Sequence, residues 1–388
     1  MEDSMNTSEK KFLSVIDKHL PMLVIFGVSI LGALIRFSLR NIVSQDAAGC
    51  LLPWFETISQ NGLYSQVGDY NLLYQFLIWI MTKLPLDPLY SYKLLSCLGD
   101  YLFAILAALL VWEIDSKNQP WNSIWTYTAV ILCPVCFVNS AAWAQCDALF
   151  SAFAVLGLYF LVKEQYNRAF IALGISFAFK LHAVFILPVF LFVYFTRRRF
   201  SVLRFVLVPV SMLALSLPLV FWGRNPLETI SVYFNQISSY PSMALNYPSF
   251  WNFLCDVEDP SQYLNLRFAA VLFTFSMLAF IMVFWIQKKY STNGKNLLIM
   301  AFILCYSAVL FLPSMHERYG FLYEMISIIL AVLIPKTRPL CLILLIMSLR
   351  TYGSFLFGTD VNLVYLSVIN LAVYVGYLYL LKPKLEAN

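Results

Sequence analysis

The stretch "NLLIMAFILCYSAVLFLPSMHERYGFLYEMISIILAVLIPKTR", Asn296 to Arg338, contains two long apolar runs separated by His316, Glu317 and Arg318. Each run approaches the roughly 20 residues that a helix needs to cross a hydrocarbon core of about 30 Å. A charged triplet inside such a sequence is costly in lipid, so it marks either a membrane boundary or a functional group. The pattern recurs from end to end. Hydrophobic residues make up 61% of the 388 residues and charged residues 12%, against about 45–50% apolar in a soluble domain. In lipid every backbone polar group must be bonded internally, which favours helices. The expectation is an all-α polytopic membrane protein, with residues 1–388 forming a single integral membrane domain.

Hydropathy places about twelve spans, near 20–39, 91–113, 124–142, 147–162, 168–180, 181–195, 201–222, 267–286, 296–313, 319–335, 338–355 and 362–381. The fifth and sixth are short enough to be one broken hairpin. The polar start "MEDSMNTSEKKFLSVIDKHL" and the lack of a small-residue cleavage site argue that the first span is retained as an anchor. Lys10, Lys11 and Lys18 precede that span. Alternate loops then carry Lys117, Lys163 with Arg168, "TRRR", "QKKYSTNGK", "PKTR" and "KPK". Basic residues stay cytoplasmic, so both termini are expected there, in a cell membrane crossed many times. The segments 40–90 and 223–266, with "WAQCDA", "FKLHA" and "MHERY", then fall on the extracytoplasmic face. The unusual chemistry gathers on one side, away from cytosolic nucleotides.

The net charge of +5 does not indicate nucleic acid, because the Lys and Arg residues sit in short loops rather than in a basic stripe. Most of the eight cysteines lie inside apolar runs. Cys133 and Cys136 form a CxxC with no second pair at zinc spacing, and read as small buried hydrophobes.

Asp46 lies just past the first span, before "DAAGCLLPWFETI", where Leu51, Leu52, Phe55 and Ile58 recur at helical spacing and suggest an interfacial helix. Capping that helix is the plain role for Asp46. Asp69, Tyr70 and Asn71 occupy a turn-rich loop. Asn139, Gln145 and Asp147 share the expected depth of Asp46, and Asp147 also suits a helix N-terminus. Lys180 and His182 stand between short apolar runs. Asp100 and Lys93 suit each other or other helices, and Arg36 is similarly placed. Arg318 and His316, beside an apolar wall, suit a phosphate, with an Arg318–Glu317 pair as the structural alternative. "GRNPLETISVYFNQISSYPSMALNYPSFWNFLCDVEDPSQYLN" is rich in aromatic and amide side chains that suit sugars, with a helix expected near 226–238.

The pieces "SQDAAGCLLPWFETISQNG", "GDYNLLYQFLIWI", "NSAAWAQCDALFSAFAVLGLYFL", "GISFAFKLHAVFILPVFL" and "SMHERYGFLYEMISII" resemble, in order, motifs of the GT-C superfamily of membrane glycosyltransferases. The likeness is to bacterial mannosyltransferase-like proteins related to GPI-anchor and N-glycan assembly enzymes. The resemblance implies a GT-C-like bundle with interfacial helices on the external face, and a sugar donor carried on polyprenyl phosphate. It makes Asp46 the acidic residue of the first external loop. The family's Trp-Gly-Gln-x-Asp stands here as Trp143 to Asp147 with Ala144 for Gly, its Lys-x-Gln as Lys180 to His182, and Gly320 replaces an aromatic after Tyr319.

A phosphate leaving group needs no protonation, so one carboxylate suffices to take the proton of the acceptor hydroxyl. Asp46 is the candidate base. Arg318, His316 or Lys180 would hold the departing phosphate, with Glu317 fixing one of them. Asp69, Tyr70, Asn71, Gln145, Asp147 and His182 would bind or orient donor and acceptor. The expected partners are a polyprenyl-phosphate-linked sugar, a glycan or lipid-linked acceptor, and the bilayer. No cofactor or nucleotide sugar is expected, and the sequence leaves a divalent metal undecided. A secondary transporter or lipid-linked-sugar flippase is the alternative, although it places its site near the midplane.

Overall fold

The computed structural model describes residues 6–237 and 240–383, and within them the regular structure is helical apart from one pair of two-residue strands. Seven helices are long and apolar enough to cross a membrane: Ser8–Ser38, Pro88–Ile114, Val202–Trp222, Pro260–Gln287, Gly294–Phe311, Pro335–Phe357 and Leu363–Leu380. Trp121–Ile131 and Pro134–Ala142, bent by 45°, make an eighth if they count as one span. The remaining expected runs form the shorter helices Asp147–Val162, Tyr166–Phe179, Leu181–Arg197 and Phe321–Leu333. At 1.5 Å per residue these fall short of a full hydrocarbon core. Large apolar side chains lie on the outside, Phe221, Leu203 and Phe268 among them, as a lipid-facing surface requires.

Pro88–Ile114 packs on Asp147–Val162, which packs on Tyr166–Phe179. The charges inside this bundle are paired differently from the simplest sequence reading. Asp100 does not meet Lys93. It takes Arg36 at 2.8 Å and the Ser140 hydroxyl at 2.5 Å, while Lys93 donates to the carbonyls of Leu39, Arg40 and Ile42 at 3.0, 3.0 and 2.6 Å. Those carbonyls lie in the turn just past the first long helix, which ends at Ser38, and a cation there satisfies their lone pairs and complements the helix dipole.

The segment after that helix forms a π-turn, Ala47–Leu51, and the helix Leu52–Asn61. Its apolar stripe is not laid into an interface, because Leu51, Phe55 and Ile58 are buried in the main core. A further apolar helix follows at Leu72–Met81, inside a segment read from sequence only as loop and motif. The helix expected near 226–238 spans Glu228–Ile237, and position 238 lies outside the described residues. Arg224 ties the two non-spanning segments together. It donates to the Ser65 carbonyl at 2.9 Å and to Gln66 at 2.8 Å, and its charge is paired with Glu228. Ala244–Leu245 pairs in parallel with Met315–His316, so the second segment is hydrogen-bonded to the "HER" loop.

Candidate functional site

A cavity of about 560 Å³ opens where these segments meet the bundle, and Asp46, Asp69, Tyr70, Gln145, Lys180 and Arg318 are among its walls. Asn71 and His182 also reach it. Chain breaks bring these residues together. The helix Tyr166–Phe179 ends at Lys180, whose extended backbone (φ −156°, ψ 141°) leads into a 3₁₀ turn, Leu181–Ile186. The turn before Asp147 is left-handed at Ala144, with φ 67°. That conformation costs a residue with a Cβ about 1–2 kcal/mol.

Asp46 is not a helix cap. It makes no capping hydrogen bond, and the Ser44 hydroxyl accepts the Ala47 N–H at 3.0 Å instead. Trp143 Nε1–H and Gln145 Nε2–H both donate to Asp46 Oδ2 at 2.8 Å. Tyr70 donates its hydroxyl to Gln145 Oε1 at 2.9 Å and so sets the direction of that amide. Trp143 is itself clamped, stacked on Phe355 at 4.6 Å with Tyr352 edge-on at 5.1 Å. Two fixed donors on one oxygen hold the plane of the carboxylate while Asp46 remains part of the cavity wall. Pre-oriented groups of this kind are what proton transfer requires.

Asp147 stands behind the wall rather than in it. Its Oδ1 accepts Lys180 Nζ at 2.5 Å, its Oδ2 accepts Asn139 Nδ2 at 2.9 Å, and Arg318 Nε lies 3.9 Å from Oδ2. Lys180 and Asp147 are both buried. The acid is the counter-charge that allows two cations to face the cavity, and the role of orienting sugar hydroxyls expected for it does not fit its geometry. Glu317 is also off the wall, with Oε1 3.7 Å from Arg318 Nη1. Burial pushes its carboxyl up to about 7, against the opposing pull of Arg318. Arg318 lies 5.5 Å over the Trp143 ring, which joins it to the Asp46 assembly.

Two expected roles change. His316 does not line the cavity. Its ring meets Tyr240 edge-on at 4.7 Å and Tyr319 at 4.9 Å. Burial, with Arg318 and Lys180 adding to it, pushes the imidazole down to about 3. A charged donor to phosphate therefore cannot come from His316 near neutral pH. Asn71 reaches the cavity but is fully used in the fold. It caps Leu72 N–H at 2.6 Å, accepts the Thr229 hydroxyl at 2.6 Å and donates to the Thr229 carbonyl at 2.9 Å. Asp69 is exposed at the rim and gives its carbonyl to Gln236. His182 lies with its ring 3.8 Å from that of Tyr319, its Nδ1 buried without a hydrogen-bond partner.

Glycines make room for these contacts. Gly68 has φ +66°, and a Cβ there would sit 2.4 Å from the Trp54 ring, which packs edge-on against Tyr70 at 5.7 Å. A Cβ on Gly320 would be 2.5 Å from Glu324 Oε1. Tyr323 Oη would be 2.8 Å away, so a larger residue there requires the Glu324 and Tyr323 side chains to shift.

Sequence reading missed Trp143 as the partner of Asp46, and Tyr240 and Arg267 as cavity residues. Arg267 carried a signal, since it is the one charge in "LNLRFAAVLF" and intramembrane charges merit suspicion. Among the described residues no group of three or more His, Cys, Asp and Glu side chains is placed to hold a metal. No protein-family model matches this chain, and no curated protein matches it.

Proposed function

We propose that the chain is an inverting glycosyltransferase that moves a hexose from a polyprenyl-phosphate carrier to a hydroxyl of a cell-envelope glycan or lipid-linked acceptor. The observation that carries this reading is one cavity in which Asp46, held on one oxygen by Trp143 and Gln145, faces the same space as Lys180 and Arg318.

In this reading Asp46 takes the proton of the acceptor hydroxyl while that oxygen attacks the anomeric carbon. The carbon–oxygen bond to phosphate breaks, and the electron pair leaves with the phosphate. Arg318 and Lys180 meet the negative charge that develops there. Attack opposite the leaving group inverts the anomeric centre. Glu317 and Asp147 fix the two cations, and Tyr70 fixes Gln145. The acceptor face would be extracytoplasmic and both termini cytoplasmic, following the distribution of basic loops.

The test is turnover by the purified protein with lipid-phosphate-linked hexoses, beside Asp46→Asn. Product with inverted linkage in the wild type and its loss in the variant support the reading. Movement of the lipid-linked sugar across vesicles without any transfer would replace it with transport.

A further inference from the structure

Arg267 lies in the spanning helix Pro260–Gln287, on which two neighbouring stripes have different surroundings. Tyr263, Arg267 and Val271, four residues apart, are cavity wall. Leu264, Phe268 and Leu272, one position on, are 57%, 68% and 67% exposed, which on a spanning helix means facing lipid. Phe268 belongs to both surfaces, since it also lines the cavity. This helix edge is therefore the border between the cavity and the surrounding hydrocarbon.

The depth of Arg267 is set by the helix. Twenty residues separate it from Gln287, about 30 Å of helix, one hydrocarbon thickness from an end followed by Lys288 and Lys289. That is the level of the phosphate headgroups of the opposite leaflet.

Its charge is uncompensated. Lys180 and Arg318 each have Asp147 within 4 Å. Arg267 has no ion pair and no side-chain hydrogen bond among the described residues, and its Nε is buried without a partner. Its contacts are the rings of Tyr263 at 5.7 Å and Phe268 at 4.8 Å. An arginine that only snorkels would extend its whole head into water. Here the head is held between two rings at the mouth, and a planar, unpaired guanidinium at that level is a fit for a phosphate.

We infer that Arg267 docks the phosphate of a polyprenyl-phosphate ligand that enters sideways from the bilayer past Phe268, its chain remaining in lipid. This rests on the donor class proposed above. The division of labour is that Arg267 binds the ground state, whereas Arg318 and Lys180 act on the leaving charge.

The test is equilibrium binding to the full-length protein in phosphatidylcholine nanodiscs, using undecaprenyl phosphate, undecaprenol and inorganic phosphate as separate probes. Wild type should bind undecaprenyl phosphate, Arg267→Ala at least about tenfold more weakly, and Arg267→Lys in between. Undecaprenol should bind weakly and show no difference among the variants. Equal undecaprenyl phosphate binding by wild type and both variants overturns the role of Arg267 and leaves the donor class standing. Failure of the wild type to bind undecaprenyl phosphate overturns both. Arg267-dependent binding of inorganic phosphate without that of the lipid would assign the arginine to a soluble anion and refute the lateral entry.

Discussion

Asp46→Asn and Asp147→Asn remove the same charge from two carboxylates of one site, and the geometry predicts opposite consequences. Asp147 is buried, with Lys180 Nζ at 2.5 Å and Arg318 Nε at 3.9 Å. An amide there leaves Lys180 without its counter-ion and Arg318 with Glu317 alone, and breaking a buried pair in this way costs about 3–5 kcal/mol. Asp46 is only partly buried, and its two donors, Trp143 and Gln145, can still bond an amide oxygen. Exchanging charge-assisted bonds for neutral ones there should cost about 1 kcal/mol. On the proposed mechanism, turnover of Asp46→Asn should nevertheless fall by about 10²–10⁴ as the base is lost. Thermal unfolding of the detergent-solubilised protein, followed by tryptophan fluorescence, and initial transfer rates measure the two quantities. If Asp46→Asn unfolds as early as Asp147→Asn, or keeps more than about a tenth of wild-type turnover, the division into a reacting and a supporting carboxylate is wrong.

Arg318→Ala should lower the transfer rate about a hundredfold, near 3 kcal/mol, and Arg318→Lys should recover only some of it; unchanged rates in both would reduce the Glu317 pair to a structural contact. His316 stays neutral in the fold down to about pH 3, whereas the unfolded chain takes up the proton near 6.5. Stability from this group is therefore full above 6.5 and declines as pH falls below it, by about 2 kcal/mol at pH 5. His316→Gln should remove that share of the acid lability, and an equal acid response in the variant would refute the neutral assignment. Ala144→Gly should raise the unfolding temperature by relieving the left-handed strain, with Ala144→Val lowering it; the reverse order would show that the turn rearranges. For the orientation, a thiol introduced by Asn235→Cys should be labelled from outside the cell and one by Thr292→Cys only after permeabilisation, and the opposite pattern would invert the scheme.

Hydropathy is a property of the chain read in one dimension, so the helical class and the placement of the apolar runs were available without a structure. The same reading singled out Asp46, Gln145, Lys180 and Arg318, because ionisable and amide groups stand out when they interrupt apolar sequence. The fold joins these four around one cavity. What each polar residue does once there was not legible. Asn71 read as a sugar ligand and serves as a cap between two segments; His316 read as a cation and is held neutral between aromatic rings. Asp100 stands seven residues from Lys93 and pairs instead with Arg36, 64 residues away. Helical class and the position of the apolar runs follow from short stretches of chain, where neighbours in sequence are neighbours in space. Charge pairing and burial depend on which helices touch and at what rotation, and packing decides that across tens or hundreds of residues. Arg267 shows the difference most plainly. In sequence it begins a span, and only the rotation of its helix turns it toward the cavity with Phe268 at the edge of the lipid.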